Sequence, residues 1–448
     1  SLAKIESGVK FADIAWWSKF NDPQFNSLIE SALANNSNIQ MAIGNITKAQ
    51  GYLQQIEMQW IPTVGAQASY SSSQLIGANT ASPNATSGGS VAAASSNSYA
   101  TGLVPTYTLN IFQQMRTQDA SKAALMNAIY TKDGVRLTIL SQVVGGYLTL
   151  LGQTNELKAQ NQLVADLAKQ LELSGDQYRL GYISLLNLQT YEQQYYMAKA
   201  QVPIIENNIV QSQNALRVLT NQNLGYIKRT DNFMQIKTNG IIPVGLPSDV
   251  LKNRPDIMQA EENLKQYNAN IGVATSNFFP SISLTSPIGS STSALSSLFS
   301  VGTDFWQNQI QIAMPILNLS LYGQIKSAKG QYYNAYYSYI NAVRVAFQQV
   351  DNGLSAHQKL TDSYNYSQVG YQSTQLGYDI GNQRYQQGAD SYSTMLNSKI
   401  TMDKATLTVL TAKLQQLTSI VNLYQYLAGG YNVKNVSKPK EFGDSHDA

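Results

Sequence analysis

Two imidazoles, His357 and His446, and no thiol are what 448 residues offer for nucleophilic chemistry. Acyl transfer needs a hydroxyl or thiol beside a base that a third group orients. His357 falls on a line of three- and four-residue apolar spacing, which reads as packing, and His446 lies in a polar tail. The lack of Cys removes disulfides and thiolate metal sites. Glu261 and Glu262 are adjacent in a helical pattern and point apart, so they do not form a carboxylate pair flanking a scissile bond. Met395 and Met402, one heptad apart, suit soft-metal transport or, more simply, gap-filling. What remains is polar residues beside two glycines: Tyr178 before Gly181, and Arg384, Tyr385 and Asp390 around Gly388. These suit an aperture better than a reaction. The expectation is a chain that is not an enzyme, with no catalytic residue, no cofactor and no metal.

Composition narrows the partners. The chain is 43% hydrophobic but only 13% charged, about half the usual share of roughly 25%. A net charge of +3 supplies no phosphate-binding field, so no nucleic acid is expected. No run of about 20 apolar residues occurs; the best stretch, Leu137 to Leu151, is interrupted by Ser141, Gln142, Gly145 and Gly146. No secretory signal opens the chain at Ser1, which leaves open whether one was removed. A membrane span, if there is one, must then be a β-barrel.

The positioning elements follow from an internal repeat. Leu33–Ala42 aligns with Leu251–Ala260, and Trp60, Ile61 and Pro62 with Phe278, Phe279 and Pro280, both at an offset of 218. The Gly181 and Gly388 neighbourhoods align at 207, so the first half holds about eleven extra residues, assigned to the Ser/Ala/Asn/Gly tract Ser71–Ser98 as an exposed loop. Each half then reads as helix, strand pair and two long helices. Asp22 and Pro23 start the first helix as N-cap and first residue, with the pattern running to about Gln59. Val64, Ala66, Ala68 and Tyr70 alternate, as do Tyr99, Thr101, Leu103, Tyr107 and Leu109. Ile282 and Leu284, then Ile310, Ile312, Met314 and Ile316, form the matching pair. Four strands cannot close a membrane barrel, which needs about eight, so several chains must share one.

Helical stretches without Pro run from about Gln113 to Leu180 and from Tyr322 to Gln387, each about 100 Å long at ~1.5 Å per residue. Ile400, Asp403, Leu407, Leu410, Leu414, Leu417, Val421, Tyr424 and Ala428 make a heptad seam. Gly181 and Gly388 mark sharp reversals in the left-handed conformation, the first followed by apolar residues and the second by polar and acidic ones.

Trp16, Trp17, Phe20, Asp22 and Pro23; Arg254 to Ile257; Ile271 to Ala274 leading to Phe278–Ile282; and Leu427 to Gly430 together resemble the TolC family of outer-membrane efflux proteins. The resemblance covers nearly the whole chain and is nearest to the branch serving resistance-nodulation-division pumps. It implies a mixed α and β fold, internally duplicated. Three chains would close a homotrimeric 12-stranded outer-membrane β-barrel, four strands each, continued by a long periplasmic α-helical barrel. The expected segments are repeats at 1–222 and 248–430, a linker at 223–247 and a tail at 431–448. An equatorial belt would come from 1–20, 223–247 and 429–448. Loops at Ser71–Ser98 and Gly289–Asp304 would face outside.

The implied function is a passive exit duct conducting drugs or other small toxic compounds. Its implied partners are outer-membrane lipid, a periplasmic adaptor and an inner-membrane pump. The gate would be the tips: Asp390, Ser393, Asn397, Arg384, Tyr385 and Tyr178, with turns at Gly181 and Gly388. Asn397 stands where the family often has Asp, leaving Asp390 as the acid of this turn. Such proteins are often lipidated on a Cys that this sequence lacks. Two alternatives stay open: a duct for type I protein secretion, and a non-channel coiled-coil scaffold or adhesin.

Overall fold

The computed structural model describes residues 11–74, 95–223, 226–230, 232–238 and 253–433. His446, residues 224, 225, 231 and 239–247 of the 223–247 linker, the tail beyond 433 and the middle of the Ser71–Ser98 tract lie outside the described residues. Contacts divide the chain into two compact units: Ser1–Thr47, Met126–Glu261 and Tyr337–Ala448 form the first, Lys48–Leu125 and Glu262–Tyr336 the second. Each takes in segments of both sequence repeats.

Helix α1 spans Pro23–Asn35, with the Asp22 side chain accepting from the Gln24 amide at 2.9 Å. The helical pattern does not run unbroken to Gln59 as expected. It stops at Asn36, whose backbone is extended at ψ 126°, and resumes as α2, Ser37–Met58. Asn36 is the reason: its Oδ1 accepts from the Asn38 amide at 2.9 Å and its Nδ2 donates to the Leu219 carbonyl at 2.9 Å. Asn is a better N-cap than helix interior, because its side chain competes for backbone donors.

The long helices are α3 (Ile111–Arg179), α4 (Leu185–Thr220), α6 (Ser320–Gln386) and α7 (Tyr392–Tyr426), with α5 at Pro255–Ser276. The starts of α4 and α7, and the ends of α3 and α6, both stand 207 residues apart. In the first unit they enclose a core of Trp16, Phe20, Phe25, Tyr147, Leu148, Leu417 and Tyr424, among others. Trp16 stacks on Tyr424 with ring centroids 4.6 Å apart. Helix α3 does contain a window apolar enough to cross a membrane, but 56% of that window is buried. Ile139, Leu140, Val143, Val144 and Leu151 fill the protein core instead.

The blocks at Arg254–Ile257 and around Asp22 supply ties within this unit. Arg254 forks onto Asp256 at 3.0 and 2.6 Å and donates to the Tyr426 carbonyl at 2.7 Å, joining the start of α5 to the end of α7. Asp22 accepts from the hydroxyls of Tyr147 and Thr230; burial pushes the Tyr147 hydroxyl up to about 12. Outer faces of α4 and α6 keep large apolar side chains exposed, including Leu186, Met197 and Val218, and Tyr337, Tyr366 and Leu376.

The second unit holds an antiparallel sheet: β1 (Thr63–Gln74), β2 (Ser95–Leu109), β3 (Ser281–Thr285), β4 (Ile288–Thr292), β5 (Asp304–Trp306) and β6 (Gln309–Ala313). These six segments are four lines of chain. Both β3 and β4 pair with β2 in one register, and β5 and β6 continue that ladder. The breaks fall at Pro287 and beside Gln307, yet Ser286 N still donates to Pro105 O and Gln307 N to Pro287 O, each at 3.0 Å.

Three expectations need correction here. The tract from Ser71 is not loop from its start, because Ser71–Gln74 pair with Ser95–Ser98; backbone hydrogen bonds form a ladder whatever the side chains are. For the same reason Gly289–Thr292 are strand rather than loop. Gly102 and Gly289 face each other there, and a Cβ on either would run into the opposite backbone. Met314 and Ile316 lie beyond the end of β6 at Ala313.

Cross-strand register sorts the side chains. Val64, Ala66, Tyr70, Leu103, Leu109, Ile282, Leu284, Ile288, Ile310, Ile312 and Trp306 share one face. Thr63, Gln67, Ser69, Thr106, Ser283, Gln309 and Gln311 share the other. The apolar face is exposed, with Ile310 at 70% and Ile312 at 68%. Within the described residues β1 pairs only with β2, and β5 and β6 have no outer neighbour.

Candidate functional site

Both hairpin turns are built alike. Gly181 and Gly388 take φ +78° and +73°, the left-handed region in which Cβ is penalised and glycine is free. Gly181 N donates to Tyr178 O at 2.9 Å and Tyr182 N to Gln177 O at 2.8 Å. Gly388 N and Ala389 N repeat this with Tyr385 O and Arg384 O, at 2.9 and 2.8 Å. This closes the helix C-terminus with the crossed bonds of a glycine cap. Ser184 and Ser391 then cap α4 and α7, each accepting at 3.2 Å, from Asn187 N and Thr394 N respectively.

Electrostatics separates the two turns. Arg384 Nε donates to Asp390 Oδ2 at 2.6 Å and Nη2 to Oδ1 at 3.1 Å, a two-pronged clasp across the second turn. The Arg384 guanidinium holds the Asp390 carboxyl below the usual carboxylate range, and Asp390 raises Arg384 in return. Asp390 therefore stays charged through neutral and mildly acidic pH. The corresponding places in the first turn are Gln177 and Ile183, which cannot form such a clasp. Arg179 pairs instead with Asp176 along its own helix.

The other expected gate residues spread along the same region. Tyr385 is exposed and its ring packs on Tyr392, centroids 5.5 Å apart. Tyr178 is exposed on the first hairpin. Ser393 is half-buried and Asn397 exposed at the start of α7. The structure thus joins Arg384, Asp390 and Tyr385 at one turn. Tyr178 belongs to the other. His357 Nδ1 lies 3.4 Å from Ser419 Oγ, and burial lowers its pKa, as suits a packed side chain. Among the described residues no group of three or more His, Asp or Glu could hold a metal ion.

Sequence reasoning missed two cations on α7, Lys413, which is buried, and Lys399, which is half-buried. Lys413 Nζ donates to the Ile236 carbonyl at 2.8 Å and lies over the Tyr364 ring, with burial lowering its pKa to about 8. Lys399 reaches Asp403 and Asp166. The available signal was Asp403 itself, an acid on an otherwise apolar heptad line.

With this geometry in place, comparison with known proteins is direct. The family model "Outer membrane efflux protein" matches residues 28–222 and 246–429. The probable efflux pump outer membrane protein TtgC of Pseudomonas putida is 30% identical over 427 residues, covering 94% of this chain and 86% of that protein. The solvent efflux pump outer membrane protein SrpC of the same species is 29% identical over 77% of this chain and 74% of its own length. Among solved structures, the Campylobacter jejuni CmeC outer membrane channel superposes with a TM-score of 0.82 at 23% identity, over 96% of this chain and 91% of that one. The tie of Arg254 to Tyr426, the paired glycine-capped hairpins and the sheet exposed on its apolar face thus sit in a chain that belongs to the outer membrane efflux protein family.

Proposed function

We propose that three copies of this chain close one twelve-stranded barrel and form a passive exit duct. Small toxic compounds would reach it from an inner-membrane pump through a periplasmic adaptor. The observation that carries this reading is the sheet: four lines of strand, one exposed apolar face, one polar face and two unpaired edges. Polar-in and apolar-out alternation is what a water-filled barrel in lipid requires, and open edges do not persist in hydrocarbon. The apolar surfaces left on α4 and α6 suit packing against a neighbouring copy. The repeats at 1–222 and 248–430 each supply one helical hairpin and half the strands. The efflux names of TtgC and SrpC favour small-molecule cargo over protein.

In this reading the tips gate the duct through Asp390, Arg384, Tyr385, Ser393, Asn397 and Tyr178, with Gly181 and Gly388 as the turns. The protein share of the purified particle in detergent is expected at about three times the 49.1 kDa chain mass, and the particle should conduct ions in planar bilayers. A monomer, or a trimer that does not conduct, would overturn the duct. Each Asp390 carboxylate offsets an Arg384 guanidinium, so removing it would leave three unopposed positive charges around the axis, which disfavour cations. Asp390→Asn is accordingly expected to lower cation preference in the same recordings; unchanged preference removes the gate role and leaves the duct standing.

A further inference from the structure

The junction of α3 with α7 holds a charge cluster that the tips do not use. Leu163 and Leu167 of α3 pack there on Leu396 and Ile400 of α7. On this apolar seam the side chains of Asp166 and Asp403 are only 3% and 5% exposed. Lys399 Nζ lies 2.7 Å from Asp403 Oδ1 and 3.4 Å from Asp166 Oδ2. Asp166 also accepts from Gln162 Nε2 at 2.7 Å and Lys169 Nζ at 3.0 Å. Asp403 Oδ2 is buried and receives no hydrogen bond, while the two carboxyl groups contact each other.

A buried carboxylate oxygen with no donor is costly, and carboxylates in contact resist ionising together. One proton on Asp403 Oδ2, donated to Asp166, removes both difficulties. We propose that Asp166 and Asp403 hold one proton between them, and that this proton latches α3 to α7, making the junction between the two hairpins of a chain pH-sensitive.

The surrounding groups support one window. Lys169 faces the pair from α3, Lys399 and Tyr392 from α7, Tyr378 of α6 lies against Lys399, and Tyr195 of α4 packs on the apolar seam. Burial raises Asp403, with Asp166 adding to the rise and Lys399 opposing it. Burial also works to raise Asp166, but hydrogen bonds from Gln162 and Lys169 outweigh it and bring that group down. A carboxyl raised in the fold contributes stability that is lost as pH climbs through its folded pKa, and a lowered one contributes stability lost as pH falls through it. The junction is therefore tightest between the two and loosens on the alkaline side as the shared proton leaves. The duplicated positions, 207 residues away, are Ser373, Leu376, Glu192 and Tyr196. They cannot reproduce the pair on α6 and α4, so the device belongs to the α3–α7 junction alone.

Any effect on conduction rests on the proposed duct, whereas the proton does not. Infrared difference spectra of the full-length protein between acidic and neutral pH should show a protonated carboxyl band, lost as pH rises, that Asp403→Asn lacks. Its absence from the unsubstituted protein overturns the shared proton without touching the duct. With no native Cys, spin labels at Ala165→Cys and Lys404→Cys are unique reporters of the junction. Their distance distribution should broaden as pH rises from acidic to neutral, and should hold steady once Asp403→Asn supplies a permanent amide donor to Asp166. The same pH response in both proteins overturns the latch.

Discussion

Replacing Ile312 with Arg is expected to abolish recovery of trimer from the outer membrane, whereas Gln311→Arg, one residue earlier on β6, is expected to leave it nearly intact. Side chains alternate along a strand, and the register puts Ile312 beside Ile282 and Gln311 beside Ser283. The first face is the exposed apolar one and the second is polar. An Arg on the lipid face costs up to about 2–4 kcal/mol, most at the bilayer midplane and least near the interfaces, and a closed ring would carry the penalty in every copy. On the polar face the same side chain meets water. The measurement is the yield of detergent-resistant trimer from isolated outer membranes. Equal losses from both substitutions would mean that the face assigned to lipid is not in lipid.

Trp16→Ala is the second large effect. Trp16 is fully buried, stacks on Tyr424 with rings 4° from parallel, and donates from Nε1 to the Gly429 carbonyl at 3.3 Å. Phe or Trp to Ala changes in cores cost about 3–5 kcal/mol, because the cavity collapses only in part. The carbonyl of Gly429 would also lose its donor. A large fall in the thermal midpoint of the purified protein is expected, with loss of near-ultraviolet dichroism from the aromatic cluster. Since Trp16 packs on Tyr424 and Gly429, away from the proposed gate residues in sequence, conductance of the protein that still folds should be unchanged. A midpoint within a degree or two of the parent would show that the stacked pair is not holding the helices together.

Much of this arrangement was legible because it rests on local rules. Long stretches without Pro became α3 and α6, and the glycines at 181 and 388 took the left-handed conformation that a helix reversal demands. Asp22 and Pro23 opened a helix because an acceptor followed by a residue without an amide hydrogen is suited to nothing else there. Less was visible where tertiary contacts decide. Asn36 breaks the first helix because a carbonyl of α4 waits for its amide, and that partner lies 183 residues away. The Ser-rich start of the tract after Tyr70 is strand because its neighbour is strand, a matter of ladder continuity that side-chain polarity does not announce.

At the tips, the residue types near Gly388 were readable, but their pairing was not. Arg384 and Asp390 are six apart in sequence, a spacing that joins side chains only when a turn lies between them. The junction pair was harder still. Asp403 looked like one member of a packing seam, and its shift comes first from burial and then from Asp166 on the other hairpin, neither of which the sequence announces.

The two unpaired edges of the sheet carry a kinetic consequence. The edge of β1 and the edge of β5 and β6 are different surfaces, so neighbouring copies must join head to tail. Two joined copies still present one free edge of each kind, the same liability as a single copy. Joining two copies pairs one edge of each kind, and in the proposed ring the last pair is closed only by the third. Two-copy species should therefore be scarce at every moment of assembly, and the appearance of closed particles should depend on subunit concentration more steeply than for a pairwise association.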